Sequence, residues 1–228
     1  MIEKMKWNFK SSYNFYLVDS IPSTNTYLKN NGDFYTDRTV LIALEQTMGR
    51  GRYDRVWESK DDIIFSILLK KDGPYALIAP LAIVLGLKEF GYDTKIKWPN
   101  DIYLDGYKLS GILIEDIFRS SFLYSVIGIG INITDKKNYK GIGLNTSINH
   151  NVIIDTILAK FDLLNQMPFN EIIKLYRDKS MVIGKEVYYH DKLFKAIHVD
   201  SEGHLVLQNE NETITISCDE INIKEAIK

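Results

Sequence analysis

The sequence predicts an α+β chain: a mostly antiparallel sheet with helices packed on it, followed by a small β-barrel. Three observations carry this. Short apolar runs bounded by turn residues recur through the first 133 positions, as strands do. Residues 75–90 are apolar nearly all round with Gly91 as a stop signal, which describes a buried helix against a sheet. After Gly184 the period shifts to short runs separated by turns, too little chain to hold a core alone.

Taken in order, residues 15–20 read as a strand. Ile21-Pro22-Ser23-Thr24-Asn25 then carries turn and cap chemistry into a short helix ending near Lys29. Residues 39–45 read as a strand, 47–55 as a glycine- and arginine-rich loop, and 63–70 as a continuous apolar strand. Strands follow at 95–98, 108–116 and 123–133, the first two separated by the turn Leu104-Asp105-Gly106-Tyr107. Ile153, Ile154, Ile157, Leu158, Phe161 and Leu164 recur at helical spacing, and a second helix covers 170–181. Short strands are then expected at 185–189, 194–199, 204–208 and 213–218, leaning on the main body.

Bulk properties exclude several function classes. A net charge of −2 over 228 residues disfavours bulk electrostatic binding to nucleic acid. No apolar run approaches the ~20 residues that span a bilayer, and the first fifteen residues lack the apolar stretch of a secretory signal. Cys218 is the single cysteine, read as a small buried hydrophobe in the last strand, and the four histidines show no zinc-site spacing. The cytoplasm is the default location.

Only six of the 28 basic residues are arginines, and Arg50, Arg52 and Arg55 crowd one loop. Guanidinium forks match phosphate or carboxylate oxygens in a way that ammonium does not. Gly49 and Gly51 let backbone N–H groups approach an anion, and Gln46 offers an amide beside them. Trp57 is either a flat face for a purine or a core side chain. Taken alone, this loop is as well read as a solvated basic turn.

The segment Lys97-Trp98-Pro99-Asn100-Asp101 ends a strand at Trp98 and presents Asn100 and Asp101, with Lys108 opening the return strand. Singly, Asn100-Asp101 is also a turn former and Lys108 an edge-strand lysine. Ser23-Thr24-Asn25 reads as a helix cap and as a polar-ligand site at once. Gly128 and Gly130 on one strand face leave room for a ligand or for a close helix contact.

Together these motifs resemble the biotin–protein ligases. The family order is a Ser-Thr-Asn segment, a Gly-Arg-Gly-Arg loop ending in Trp, Lys-Trp-Pro-Asn-Asp, Lys-Leu-x-Gly-Ile-Leu and Gly-x-Gly-x-Asn, and all five occur here between Ser23 and Asn132. The resemblance implies a catalytic domain of the fold shared by class II aminoacyl-tRNA synthetases and biotin ligases, at residues 1–181, and an SH3-like β-barrel at 182–228. It implies biotin, ATP and Mg²⁺ as reactants, with the metal held mainly through the ATP phosphates. The partner is a biotin carboxyl carrier domain of a carboxylase, and a homodimer through sheet edges is allowed.

It further implies that Ser23, Thr24, Asn25 and Gln46 meet biotin, that Gly51 closes over it, and that Gly111 and Leu113 line its pocket. Arg50, Arg52 and Lys108 would hold the biotin carboxylate and the α-phosphate. Arg55, Trp57, Asn100 and Asn132 would serve the nucleotide, and Asp101 the acceptor lysine. Two departures stand out. Tyr53-Asp54 occupies loop positions where the family often has basic or glycine residues. Only about fifteen residues precede the first expected strand, so a ligase without a DNA-binding domain is expected. The alternatives are a lipoate or octanoate ligase, which lacks the Lys-Trp-Pro-Asn-Asp pattern, and a non-catalytic nucleic-acid-binding module.

Overall fold

The computed structural model describes residues 2–5, 11–57, 60–119, 121–136, 141–217 and 219–224. Its main sheet has eight strands in the order β1-β2-β3-β4-β8-β7-β6-β5. These are β1 (Glu3–Lys4), β2 (Asn14–Ile21), β3 (Thr39–Gln46), β4 (Lys60–Leu69), β5 (Lys95–Lys97), β6 (Asp101–Leu104), β7 (Tyr107–Arg119) and β8 (Ser121–Ile131). Strands β2 and β3 run parallel, joined by helix α1 (Thr24–Asn31), and the other neighbours are antiparallel. The mostly antiparallel α+β expectation is therefore met.

One face of the sheet is covered by α2 (Tyr75–Lys88), α3 (His150–Leu164) and α4 (Phe169–Lys179). Helix α2 is apolar all round because it lies between the sheet and both other helices, so no side of it needs to face water. Gly86 permits that packing: a Cβ there would lie 2.8 Å from Ile157 Cγ1. Gly91 ends the segment at φ +89°, a conformation costly for other residues. No helix among the described residues is long and apolar enough to cross a membrane.

One expectation needs correction. The turn Leu104-Asp105-Gly106-Tyr107 does not join β5 to β7; β6 intervenes, pairing with both, and Asp101 is its first residue. The Trp98–Pro99 peptide between β5 and β6 is cis. The expected buried position of Cys218 lies outside the described residues.

The C-terminal part forms a second, five-stranded antiparallel sheet in the order β12-β11-β10-β9-β13. Its strands are β9 (Glu186–Tyr189), β10 (Lys192–Val199), β11 (Leu205–Gln208), β12 (Thr213–Ile216) and β13 (Asn222–Ile223). As expected, it leans on the main body: Val187, Phe194, Ala196, Leu205 and Leu207 share one continuous core with α2 and the large sheet. Trp98 Nε1 donates to Gly203 O at 3.3 Å, and Arg177 Nε to Val199 O at 2.7 Å.

A buried ion pair pins the chain that leaves β8. Asp62 accepts from Ile133 N at 3.0 Å and from Lys136 Nζ at 2.6 Å, its side chain shut off from water. Burial pushes the Asp62 carboxyl up from its ordinary range, with Lys136 pulling the other way. Replacing Lys136 by methionine strands the carboxyl without its cation, and about 3–5 kcal/mol of stability should be lost. Urea denaturation of the two proteins measures it.

Candidate active site

The site is a cavity of ≈ 350 Å³ on the sheet face opposite α2, framed by α1, the arginine loop and strands β4, β7 and β8. Its floor is set by strand register. Gly128 lies between Ser66 of β4 and Leu113 of β7, and Gly130 between Ile64 and Gly111. A Cβ on Gly128 would come within 2.5 Å of Asn25 Oδ1, and one on Gly130 within 2.4 Å of Trp57 Cε2. The glycine stripe thus admits two wall-forming side chains to the sheet surface. Replacing Gly130 by valine should expel the Trp57 ring and cost about 1–3 kcal/mol, read as a fall in unfolding free energy with a change in tryptophan fluorescence.

The polar end comes from the start of α1. Ser23 caps the helix, its hydroxyl accepting from Thr26 N at 3.3 Å. Thr24 donates its N–H at 2.8 Å and its hydroxyl at 3.0 Å to Gln46 Oε1. Asn25 donates to Leu113 O at 3.3 Å and Glu115 Oε2 at 2.9 Å, which turns its Oδ1 toward the Ser66 hydroxyl at 3.0 Å. All four residues sit at the end of a strand or the first turn of a helix, so their groups are held by the scaffold.

The arginine loop is a hairpin. Trp57 N donates to Gly49 O at 2.9 Å and Gly51 N to Arg55 O at 2.7 Å, with Tyr53 at the tip at φ 55°. Gly49 is required because a Cβ would lie 2.4 Å from Trp57 O. Arg50 Nη2 meets both Glu115 oxygens at 3.1 Å. Arg52 Nη1 donates to Asn100 Oδ1 at 3.1 Å, and Asn100 donates onward to Ile112 O. Arg55 forms a bidentate pair with Glu220, the Nη2–Oε2 arm at 2.6 Å, drawing a C-terminal residue onto the cavity rim.

At the same cationic end, Lys108 Nζ lies 2.7 Å from Asp101 Oδ1 and 5.8 Å from the Trp57 ring. Neighbouring Lys97 is pulled below its ordinary pKa, chiefly by burial. The Arg55 hydrogen bond holds Glu220 below the usual carboxylate range. Trp57 Nε1 is buried without a hydrogen-bond partner among the described residues.

Nearly every site residue expected from the sequence converges here: Ser23, Thr24, Asn25, Gln46, Arg50, Gly51, Arg52, Arg55, Trp57, Asn100, Asp101, Lys108, Gly111 and Leu113 all line the cavity. Asn132 does not. It is fully buried, donating to Lys108 O and Ile142 O at 3.2 Å each, so it holds the wall behind Lys108. Sequence reasoning missed Ser66, Glu115 and Glu220. Ser66 had a signal, being the one hydroxyl in the apolar run 63–69. Glu115 shares a strand face with Gly111 and Leu113, which period 2 would have indicated. Glu220 had none.

The Biotin/lipoate A/B protein ligase family model matches residues 17–132, just over half of the sequence and nearly the whole of the site. The chain belongs to this family. Among its relatives is the bifunctional ligase/repressor BirA of Bacillus subtilis, 39% identical over 231 residues that cover 87% of this chain and 69% of that protein. Another is the biotin–[acetyl-CoA-carboxylase] ligase of Mycobacterium tuberculosis, 28% identical and covering 81% of this chain and 79% of that one. The fold is that of the biotin protein ligase from Aquifex aeolicus solved in complex with biotin and ATP: TM-score 0.80 at 23% identity, covering 93% of this chain and 99% of that chain. For this family member, the α+β catalytic fold is thereby fixed.

Proposed function

We propose that the chain is an ATP-dependent biotin–protein ligase. It joins the biotin carboxylate to the α-phosphorus of ATP, releases pyrophosphate, and passes the biotinyl group from biotinyl-5′-AMP to one lysine of a biotin carboxyl carrier domain. The observation that carries this is a single cavity with two unlike ends. At one, Thr24, Asn25, Gln46 and Ser66 offer fixed donors and acceptors that suit a cyclic urea; at the other stand Arg50, Arg52, Arg55 and Lys108.

Two anions must meet for the first step, since a carboxylate attacks a triphosphate. Arg50, Arg52 and Lys108 offset that repulsion and the charge developing on the α-phosphate. Mg²⁺ bound through the triphosphate oxygens would supply further positive charge there. Trp57, whose buried N–H has no partner among the described residues, walls the nucleotide side, and Asn100 holds Arg52 toward it. The mixed anhydride is prone to hydrolysis, so the hairpin over the cavity serves to keep water out.

In the second step the acceptor lysine attacks the activated carbonyl. A free lysine has a pKa of about 10.4, so only about one in 10³ is neutral near pH 7. Asp101, which lies 2.7 Å from Lys108 Nζ, is our candidate to take that proton once Lys108 turns to the phosphate.

We take residues 1–181 as the catalytic domain and 182–228 as an SH3-like barrel, the five short antiparallel strands supporting that reading. The same reading allows a homodimer through a sheet edge, with β1 as one edge, and puts the reaction in the cytoplasm. The test is biotin-dependent exchange of labelled pyrophosphate into ATP. Exchange only with biotin is expected; exchange that ignores biotin, or none at all, would defeat the reading.

A further inference from the structure

Lys97 has no role in the chemistry above, yet strand register sets it beside that chemistry. It lies directly opposite Asp101 on the antiparallel neighbours β5 and β6, so the two share a sheet face, while Ile96 and Ile102 turn into the helix-covered core. Lys108 reaches Asp101 from β7, on the other side, at 2.7 Å. Asp101 is therefore flanked by two amines that differ in setting. Lys108 is ion-paired and lines the cavity. Lys97 lies one strand further out, half-buried, its Nζ 5.6 Å from the Tyr103 ring centroid and without a hydrogen bond or ion pair among the described residues.

Burial holds the Lys97 amine below its ordinary pKa. The charges around it pull both ways: Asp101 and Glu220 favour the ammonium, Lys108 and Arg55 oppose it, and desolvation is the largest effect. Tyr103 adds no charge, since burial and Asp101 push its phenol up to about 12. This setting bears on the transfer step. A carboxylate has an ordinary pKa of about 3.9 and a lysine about 10.4, so passing a proton from ammonium to carboxylate is unfavourable by roughly 10⁶-fold. An amine with a depressed pKa is a better-matched destination.

Resting on the ligase reading, we propose that Lys97 acts through Asp101 in the transfer step: as a neutral amine it receives the proton that Asp101 takes from the acceptor lysine. Lys97 touches no substrate and is a positioning residue for that proton. The acceptor ammonium gives one proton to the Asp101 carboxylate, which hands it to the Lys97 amine. The freed amine attacks the carbonyl of biotinyl-5′-AMP; the C–N bond forms and the C–O bond to phosphate breaks, releasing AMP. The second proton leaves that nitrogen for water as the bond breaks. The neutral fraction of Lys97 grows as pH rises toward its lowered pKa, and the transfer rate grows with it.

The test uses the full chain, single-turnover transfer from biotinyl-5′-AMP to a carrier domain, and a pH series. Lys97→Met removes the amine, and Lys97→Arg keeps the positive charge but takes up no proton. Both should slow transfer about 10²-fold near pH 7.5, the lower end of the scale for a lost proton acceptor. The gap should close as pH nears about 10, where the acceptor lysine is itself largely neutral. Pyrophosphate exchange should stay within a few-fold in both variants. Lysine-selective NMR of the parent, with Lys97→Arg identifying the resonance, should show Lys97 titrating below the other lysines.

Transfer at the parental rate in Lys97→Arg would overturn the proposal, since charge alone would then suffice. So would a fold-loss that stays constant across pH, which marks a structural role, or an equal loss in pyrophosphate exchange. Should Lys97→Met fold poorly, Lys97→Arg and the titration of the parent still decide. A Lys97 resonance titrating with or above the other lysines would overturn it without any activity measurement. Parent protein without biotin-dependent exchange or transfer would overturn the ligase reading and this role with it, while the titration would report the amine separately.

Discussion

Replacing Lys108 by methionine is expected to slow biotin-dependent pyrophosphate exchange by roughly 10²–10³-fold, the scale seen when one preorganised charge-stabilising donor is removed. Methionine keeps much of the side-chain volume, so the loss reports the ammonium rather than a hole. Lys108 stands at the cationic end of the cavity, 2.7 Å from Asp101 and beside Trp57, with its backbone oxygen held by Asn132. That support behind the strand does not depend on the ammonium, and the fold should survive. The remaining arginines still attract a triphosphate, so KM for ATP should change less than kcat. Exchange kinetics at saturating substrates, with circular dichroism to verify the fold, measure this. An undiminished kcat would remove Lys108 from the chemistry.

The second large effect separates the half-reactions. Asp101→Asn should leave adenylate formation within a few-fold of the parent but slow transfer to a carrier lysine by roughly 10²–10⁴-fold, the usual scale for a positioned general base. Asparagine fits the same space at the head of β6 and can still accept a hydrogen bond from Lys108, but it cannot take a proton. On the proposed reading the pair would couple the two steps: Lys108 Nζ lies 2.7 Å from Asp101 Oδ1, and its turning to the phosphate would release the carboxylate for the incoming amine. Single-turnover transfer from preformed biotinyl-5′-AMP isolates the second step. Transfer at the parental rate would sink this role.

Much of this site was legible in the sequence because its residues cluster in a few short segments. Ser23–Asn25, the arginine loop and the segments around Asp101 and Lys108 each carry several wall residues, and turn and cap chemistry already places them at the ends of strands and helices. What escaped was the chemistry supplied by distant partners. Glu220 meets Arg55 across 165 positions, and Glu115 meets Arg50 across 65, pairings that no local period encodes. Ser66 was hidden for another reason: a buried hydroxyl in an apolar strand reads as noise until its neighbours Thr24 and Asn25 are known.

The fold divides similarly. Helices α2 and α3 announce themselves through long apolar patterns. Strand β6 does not, since Asp101 follows Pro99-Asn100 and its four residues run straight into a turn; its strand geometry comes from pairing on both sides. Strands β1 and β13, two residues each, are set by their partners alone. Glycine at 128 and 130 was read as space on a strand face, and that space is filled by Asn25 and Trp57, which become walls of the cavity.

The most direct test of the central claim is group transfer itself. Purified chain should be incubated with labelled biotin, MgATP and a biotin carboxyl carrier domain, alongside a carrier in which the acceptor lysine is arginine. ATP-dependent label on the lysine carrier, none on the arginine carrier and none from labelled lipoate is the predicted result. An unlabelled lysine carrier, or label from lipoate in place of biotin, would contradict it.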